Sequence, residues 1–455
     1  MKTSIILAVH DALSYTKQCI MAVRAFVPKG SYEILVVDNG STDGTAAWLA
    51  REKDIKLLQN PANLGAAVAW NQAAAVAQGE ELLFLHNDVV LPHGTLAILQ
   101  AALWSQPEIG AVGPVTNRCQ LVYQKIAVPE YHSFADLQDF ADRRASEEHS
   151  AQQSLYLESF CLLMKREAFL KTGSFDGQFL PHYYEDFDYS LRLLQNGYRM
   201  LTVMGAFVHH EGGELGRTYV GMQKAVEANE ARFQEKWGIR LGYSGNVRPE
   251  LLLYLDLTKR PLSVLDVGCS CGANLMRIKE VNPEAEVYGI ELDPYSAAIA
   301  GIFGEVTNAN VETAEYPEWQ GKFDYIIMGD VLEHLQDPWR AVRHMATCLK
   351  PGGGIVASVP NVEHLSVLQG LLQGDWPYAP SGILDRTHLR FFTQKTAREL
   401  FEQAGLTLKE TGYSRMVLNN LQAQKLRKEL CSLESIHVEE ENLNVFQWHI
   451  FAVRP

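Results

Sequence analysis

The sequence lacks an excess of basic residues, since 40 lysines and arginines stand against 54 aspartates and glutamates, a net charge of −14. A general attraction to nucleic acid is therefore excluded, and any phosphate group has to be bound by a local site. The seven cysteines are scattered along the chain and odd in number. That usage predicts reduced thiols in a cytoplasmic protein rather than a disulfide framework.

Long hydrophobic runs are also absent, because no stretch reaches the roughly 18 uncharged apolar residues of a membrane span. The apolar start, Met1–His10, is too short for a signal sequence and lacks its small-residue cleavage site. The sequence therefore predicts a cytoplasmic protein with no transmembrane segment.

The chain has 455 residues, 47% of them hydrophobic, which is enough for more than one core. We predict a domain over residues 1–240, a linker over 241–260 and a second domain over 261–455. The two halves share no repeat and carry different motifs, so they indicate a fusion rather than a duplication.

Both halves alternate short apolar runs with helix-period stretches, which predicts two α/β domains with buried parallel strands. In the first half we expect helices over 13–26, 45–51 and 64–78, and strands over 55–59 and 81–86. In the second half we expect strands over 287–291, 325–329 and 354–360, and helices that begin at residues 274, 294 and 338.

Four polar markers follow apolar stretches of the first half. Asp38 ends a strand, where it is suited to a nucleoside or equally to a tight turn. Asp88 is the last residue of the polar triplet His86-Asn87-Asp88, and it offers a hard oxygen ligand for a divalent cation. Glu185–Asp186 offers a base for a hydroxyl group or a charged first helical turn. His209–His210 offers metal ligands or structural histidines.

In this order the markers resemble the family 2 glycosyltransferases of the GT-A type, over about residues 1–240. The resemblance implies a GT-A nucleotide-sugar-binding fold and an inverting transfer from a nucleoside-diphosphate sugar with Mg²⁺ or Mn²⁺. It implies donor binding by Asp38, Asn63, Gly65, Asn87 and Asp88, metal binding by Asp88 with His209 or His210, and deprotonation of the acceptor by Asp186 or Glu185.

Two positions depart from the pattern of that family. His86 replaces an acid at the start of the metal motif, which implies weakened metal affinity. His10-Asp11 replaces the Tyr-Asn that follows the first strand, so uridine and thymidine both stay open as the donor's base.

The second half opens with a strand and a glycine-punctuated turn, Val264–Gly272, and a second strand ends at Glu291. Glycines in such a turn let a cofactor approach the backbone, and a carboxylate at Glu291 can bind ribose hydroxyls. A dinucleotide would prefer a third glycine. Further on come Phe323–Leu335, which includes Asp330 and His334, and the turn Leu349–Gly354.

This order is similar to the class I S-adenosylmethionine (SAM)-dependent methyltransferases of surface-polysaccharide clusters, with their Rossmann-like fold. The resemblance implies a SAM site formed by Asp266, Gly268, Gly272, Glu291, Glu312 and Asp330. A hydroxyl acceptor also needs a base, for which His334 and His388 are candidates, although each is equally compatible with a structural role.

Together the two halves predict a bifunctional enzyme that adds a sugar and O-methylates a sugar during synthesis of a bacterial surface polysaccharide. UDP- or dTDP-sugars would be donors, and a glycan or lipid-linked glycan would be the acceptor. Lipid-linked acceptors would place the protein at the inner membrane face. The alternative is a methyltransferase whose degenerate first domain only binds the glycan.

Overall fold

The computed structural model describes residues 2–212, 222–239, 244–432 and 439–455. The chain divides into two compact units, Met1–Arg240 and Leu241–Pro455. Each unit has its own sheet and its own helices. The predicted fold class, two α/β domains, is confirmed.

One sheet organises the first unit. Among the described residues it has nine strands, in the order β3-β2-β1-β4-β8-β6-β9-β5, with β7 also paired to β9. Strands β1 to β4 run parallel, and β8 is antiparallel to both β4 and β6. The strands are β1 Thr3–Val9, β2 Tyr32–Asp38, β3 Ile55–Gln59, β4 Glu81–Leu85, β5 Val89–Val90, β6 Ile109–Thr116, β7 Ala151–Gln153, β8 Cys161–Lys165 and β9 Arg199–His210.

Most helices of the first unit pack against this sheet. Helix Leu13–Phe26 buries Cys19, Ile20 and Val23, a spacing of three to four residues that places the side chains on one face. The helices are Leu13–Phe26, Thr45–Leu49, Ala66–Val76, Thr95–Leu103, Phe134–Glu147, Arg166–Thr172, Glu185–Gln195 and Met222–Trp237.

A second sheet organises the other unit, with seven strands in its described residues and the order β12-β11-β10-β13-β14-β16-β15. The first five strands in this order run parallel, and β16 is antiparallel to both its neighbours. The strands are β10 Ser263–Val267, β11 Glu286–Glu291, β12 Glu305–Asn308, β13 Phe323–Gly329, β14 Leu349–Pro360, β15 Thr407–Arg415 and β16 Val445–Val453.

Helices cover this sheet as well. Asp337 directly precedes helix Pro338–Cys348. Its carboxylate accepts a hydrogen bond from the N–H of Arg340 and so caps the helix. The α-helices are Pro249–Leu252, Ala273–Val281, Pro294–Ala300, Pro338–Cys348, Leu365–Leu372, Gln394–Glu402 and Leu421–Cys431, and the short 3₁₀ helices are Pro317–Trp319, Leu332–His334 and Asn442–Asn444.

Residues 244–260, which lie in the predicted linker, pack within the second unit. Leu251, Leu252 and Leu255 are buried in one cluster with Leu262 and with Val264 of β10. Burial of apolar side chains next to the sheet makes this stretch part of the hydrophobic core.

None of the seven cysteines is paired in a disulfide. Among the helices of the described residues, none combines the length and the hydrophobicity that crossing a bilayer requires.

An aromatic cluster fills the core of the first unit beneath β4. Phe84 is fully buried and meets Trp70 and Phe175 with ring centroids 5.9 and 5.0 Å apart. Phe175 in turn stacks on Tyr189 at 4.2 Å. This cluster connects a strand to helices on one face of the sheet.

We expect the Phe84→Ala substitution to lower the free energy of unfolding of the first unit by about 3–5 kcal/mol, because it leaves a cavity among these rings. Scanning calorimetry should show the transition of the second unit unchanged. The matched control is Leu170→Ala on the exposed side of helix Arg166–Thr172. It should change stability by less than about 0.5 kcal/mol. Equal effects of the two substitutions would contradict this assignment of the core.

Candidate active sites

A cavity of about 260 Å³ lies at the carboxyl ends of the parallel strands of the first unit. His10, Asn39 and Asn87, which follow β1, β2 and β4, line it. Because parallel strands end at the same edge of a sheet, residues far apart in the sequence meet there. Further lining residues come from the loop before helix Glu185–Gln195 and from the end of β9.

Three potential metal ligands meet in the wall of this cavity. One ligand atom each from His86, Asp88 and His210 lies within 4.8 Å of the others. Asp88 Oδ1 lies 3.4 Å from Nε2 of His210, and its Oδ2 accepts a hydrogen bond from the N–H of Gly212 at 3.2 Å. Two imidazoles and one carboxylate form a donor set of mixed nitrogen and oxygen.

The pKa shifts of these groups follow from burial and from their charges. Burial raises the pKa of Asp88, but the hydrogen bond and charge of His210 outweigh burial and bring the pKa to about 2. Burial lowers the pKa of His210, and Asp88 more than reverses this, so the pKa is raised. For His86, burial and then the charge of His210 lower the pKa to about 3, which keeps a neutral imidazole available as a ligand.

Backbone groups hold His210 in its orientation. The ring Nδ1–H of His210 donates to the carbonyl of Arg118 at 2.8 Å, and the backbone N–H of His210 donates to Oδ1 of Asn117 at 2.8 Å. A hydrogen bond at Nδ1 leaves Nε2 free to face Asp88, as is usual for histidines that bind metals.

His209, by contrast, points away from the cluster, because successive side chains of a strand face opposite sides of the sheet. Its Nδ1 is hydrogen-bonded to the hydroxyl of Tyr131, and its Nε2 lies 3.2 Å from Glu211. Of the two histidines named from the sequence, only His210 is near Asp88. The other imidazole comes from His86, the position expected to weaken metal affinity.

Glu185 and Asp186, which also line the cavity, are the first residues of helix Glu185–Gln195. Asp186 Oδ2 accepts hydrogen bonds from the N–H and the hydroxyl of Ser159 at 3.1 and 3.2 Å. Burial raises the pKa of Asp186, although these hydrogen bonds oppose it. Burial and the charge of Asp186 raise the pKa of Glu185 well above its usual value, and Glu185 Oε2 has no hydrogen-bond partner among the described residues.

Sequence reasoning missed a third carboxylate, Glu158, which lines the same cavity. Its Oε1 accepts hydrogen bonds from the N–H groups of Gln120 and Leu121, both at 2.6 Å. Burial, and next the charge of Asp186, raise the pKa of Glu158 to about 7. No motif surrounds it in the sequence, and only the fold brings it to Asp186.

The other predicted donor-binding residues lie around the same edge. Asn63 and Asn87 line the cavity, and Asn63 Oδ1 accepts a hydrogen bond from the N–H of Gly65 at 3.0 Å. Asp38 is buried at the end of β2, where its carboxylate accepts a hydrogen bond from the N–H of Ser41 at 3.2 Å. Asp38 thus shapes the turn beside the cavity.

In the second unit, the backbone of the glycine-containing turn after β10 lies close to neighbouring residues. Gly268 has a φ of +69°, and a Cβ there would lie 2.7 Å from Val331 Cγ2. Gly272 has a φ of +80°, and a Cβ would lie 2.9 Å from the Cα of Ala300. Any side chain at these positions would be strained and crowded, so the turn requires glycine.

Three carboxylates predicted for the SAM site have hydrogen-bond partners in this unit. Asp266 accepts a hydrogen bond from Asn274 at 3.1 Å, and burial raises its pKa to about 7. Glu291 accepts hydrogen bonds from the N–H groups of Ser270 and Asp293, both at 2.8 Å. Glu312 accepts one from the N–H of residue 337 at 2.8 Å. Glu291 therefore lies directly against the glycine turn.

Asp330, at the end of β13, is neutralised by an arginine that sequence reasoning missed. Arg248 forms an ion pair with it, and Ser358 donates a hydrogen bond to it at 2.9 Å. Arg248 also donates to Gln447 at 2.8 Å. No pattern marks Arg248 in the sequence, because its partner is 82 residues away.

The two candidate bases of the second unit are neighbours. The ring centroids of His334 and His388 are 4.8 Å apart, although 54 positions separate them in the sequence. Nδ1 of His388 donates to the carbonyl of Ile383 at 2.9 Å.

Comparisons with known proteins agree with both units. Residues 4–171 match the family described as glycosyl transferase family 2, and residues 242–411 match the family described as methyltransferase domain. The chain is 31% identical, over 210 residues, to the N-acetylglucosaminyl-diphospho-decaprenol L-rhamnosyltransferase of Mycobacterium tuberculosis. This match covers 40% of the chain and 68% of that relative.

The chain is also 29% identical, over 156 residues, to the ubiquinone biosynthesis O-methyltransferase of Acinetobacter baumannii, a match covering 32% of the chain. It spans 64% of that relative's length. Among solved structures, a mannosyltransferase from Pyrobaculum calidifontis in complex with GDP-Man and Mn²⁺ shares 19% identity, with a TM-score of 0.39. That match covers 56% of this chain and 70% of the other.

The family matches and the rhamnosyltransferase relative agree with the carboxyl-edge cavity of the first unit and the glycine turn of the second. The chain belongs to the family 2 glycosyltransferases through its first unit and joins to that domain a methyltransferase domain.

Proposed function

We propose that the chain is a bifunctional enzyme, a metal-dependent inverting glycosyltransferase joined to a SAM-dependent sugar O-methyltransferase. The observation that carries the first activity is a single cavity with a ligand cluster and buried carboxylates in its walls. This is the combination that sugar transfer requires, because a diphosphate must be neutralised near a base for the acceptor.

The residues of the first unit fit a divalent cation held by His86, Asp88 and His210. Mn²⁺ suits this set better than Mg²⁺, which prefers oxygen ligands alone. When bound, the cation would neutralise the diphosphate leaving group. His86 as a ligand argues against the alternative in which the first domain is degenerate and only binds the glycan.

Asp186 is the candidate base for the acceptor hydroxyl. Its raised pKa makes it a better proton acceptor than an ordinary aspartate. Ser159 and the N–H of Phe187 fix both carboxylate oxygens, so the group is held in place before an acceptor arrives. Glu185 is the weaker candidate because it is more deeply buried than Asp186, 2% against 9% exposed.

The name of the mycobacterial relative supports a diphospho-lipid-linked saccharide as the acceptor. We propose this class of acceptor, with UDP- or dTDP-sugars as donors, in the synthesis of a surface polysaccharide. An acceptor anchored in a membrane would place the enzyme at the cytoplasmic face of that membrane.

The second unit fits SAM at the glycine turn between Gly268 and Gly272. Glu291, which contacts this turn, would bind the ribose hydroxyls, and Glu312, which follows β12, would lie near the adenine. SAM would supply the methyl group. His334 and His388 are the candidates to receive the proton of the acceptor hydroxyl.

Calorimetric titration of the intact chain should reveal two independent sites. We expect UDP or dTDP to bind only with Mn²⁺, and S-adenosylhomocysteine to bind with or without it. Asp88→Asn should weaken only the nucleotide, and Gly268→Val only S-adenosylhomocysteine, because the new side chain would meet Val331. At a hundredfold excess over Kd, each ligand should stabilise its unit by about 2.7 kcal/mol. Binding of S-adenosylhomocysteine alone would favour a degenerate first domain.

Asp186→Asn should reduce sugar transfer by about 10²–10⁴-fold, the usual contribution of a catalytic base. Nucleotide affinity and methyl transfer should stay the same. Release of nucleoside diphosphate is the readout, with an N-acetylglucosaminyl-diphospho-lipid as the acceptor. Glu185→Gln is the matched control, and it should cost far less because the side chain of Glu185 is more deeply buried than that of Asp186. A larger loss in the control would assign the role of base to Glu185.

A further inference from the structure

Three potential metal ligands also meet in the second unit, beyond the carboxyl end of β13. One ligand atom each from Glu333, His334 and His388 lies within 4.8 Å of the others. Glu333 and His334 belong to the short helix Leu332–His334, whereas His388 comes from a distant loop. The cluster begins three residues after Asp330, on the edge of the sheet that holds the glycine turn.

Glu333 is a carboxylate with no ion-pair partner among the described residues. It is 1% exposed, and its Oε2 has no hydrogen-bond partner among the described residues. The nearby Arg248 is committed to Asp330 and Glu250. A buried carboxylate oxygen without a partner is costly, and a bound cation is one of the few groups that can satisfy it.

Both histidines are oriented by backbone carbonyls. His388 donates Nδ1–H to Ile383 at 2.9 Å, and Nδ1 of His334 lies 3.3 Å from the carbonyl oxygen of Thr387. Each contact occupies Nδ1 and leaves Nε2 available, the arrangement that outer-shell carbonyls impose on ligand histidines. His334 is exposed and His388 partly so, which leaves one side of the cluster open.

The loop that carries His388 is held against Glu333. The N–H groups of Leu389 and Arg390 both donate to the carbonyl of Glu333, at 2.8 and 3.0 Å. Asp385 accepts hydrogen bonds from the N–H and the hydroxyl of Thr387, at 2.8 and 2.7 Å. These contacts set the ligand positions in advance, so little order has to be gained on binding.

We propose that Glu333, His334 and His388 bind a divalent transition-metal ion, for which Zn²⁺ is the best match. Two imidazoles and one glutamate are the donor set of zinc sites that keep an open coordination position. The open side would admit a sugar hydroxyl, whose acidity the ion would increase. The inference rests on the proposed methyltransferase function and makes both histidines ligands rather than bases, so the proton of the hydroxyl would pass to water at the open side of the cluster.

The test is titration of the chain with Zn²⁺, and with Co²⁺ for its visible spectrum. An Asp88→Asn/His210→Ala background removes the ligand set of the first unit. We expect this background to bind one Zn²⁺ per chain. Glu333→Gln and His388→Ala should each raise the Kd at least about tenfold, as metal sites respond even to loss of outer-shell partners. His344→Ala, a histidine of the same unit outside the cluster, is the matched control.

Titration of each variant with S-adenosylhomocysteine separates the possible failures. Loss of Zn²⁺ affinity with S-adenosylhomocysteine binding retained would support the site and show that the unit is folded. A background that binds no Zn²⁺, or variants that bind it as tightly as the background, would overturn the inference. If S-adenosylhomocysteine bound to none of the proteins, the proposed methyltransferase function would fall instead.

Discussion

Parallel pairing of strands is the constraint on which both active sites depend. The register of β1 with β2 places Val9 opposite Asp38, so the residues that follow them meet at one edge of the sheet. The register of β10 with β11 places Val267 opposite Ile290 and brings the glycine turn to Glu291. In each unit the backbone hydrogen bonds assemble the site, and the side chains there become neighbours as a consequence.

The carboxylates that line the cavity of the first unit differ in the direction of their pKa shifts. Asp88 lies beside the imidazole of His210, which lowers its pKa, whereas burial raises the pKa values of Asp186, Glu185 and Glu158. The proposed function assigns cation binding to the first environment and acceptance of a proton to the second. Such a separation of pKa values among carboxylates is how a single site divides its chemical roles.

Much of the fold was predictable because local periodicity reports it. The apolar pattern predicted helix Leu13–Phe26 and strand Ile55–Gln59 at the bounds that the structure has. The order of the polar markers likewise predicted that Asp88 and Asp186 belong to one site. Their positions after apolar strands and before a helix are local features.

The parts that could not be predicted depend on tertiary contacts. Adjacent histidines read alike in a sequence, and only the strand's orientation decides that His210 and not His209 faces Asp88. His86 belongs to the ligand set because it follows β4, whose end lies beside the end of β9, where His210 is. Glu158 and Arg248 become important through partners far away in the sequence, for which no spacing rule exists.

The contacts of Arg248 have a practical consequence for dissecting this protein. A fragment that starts at Pro261 would lose the guanidinium that neutralises Asp330 and contacts Ser358 and Gln447 on two later strands. It would also lose Leu251, Leu252 and Leu255, and so expose the apolar surface that they cover. Truncation at that point would remove part of the methyltransferase unit itself. A resulting loss of methyl transfer could then be mistaken for dependence of the second unit on the glycosyltransferase unit. An informative cut has to fall before Arg248.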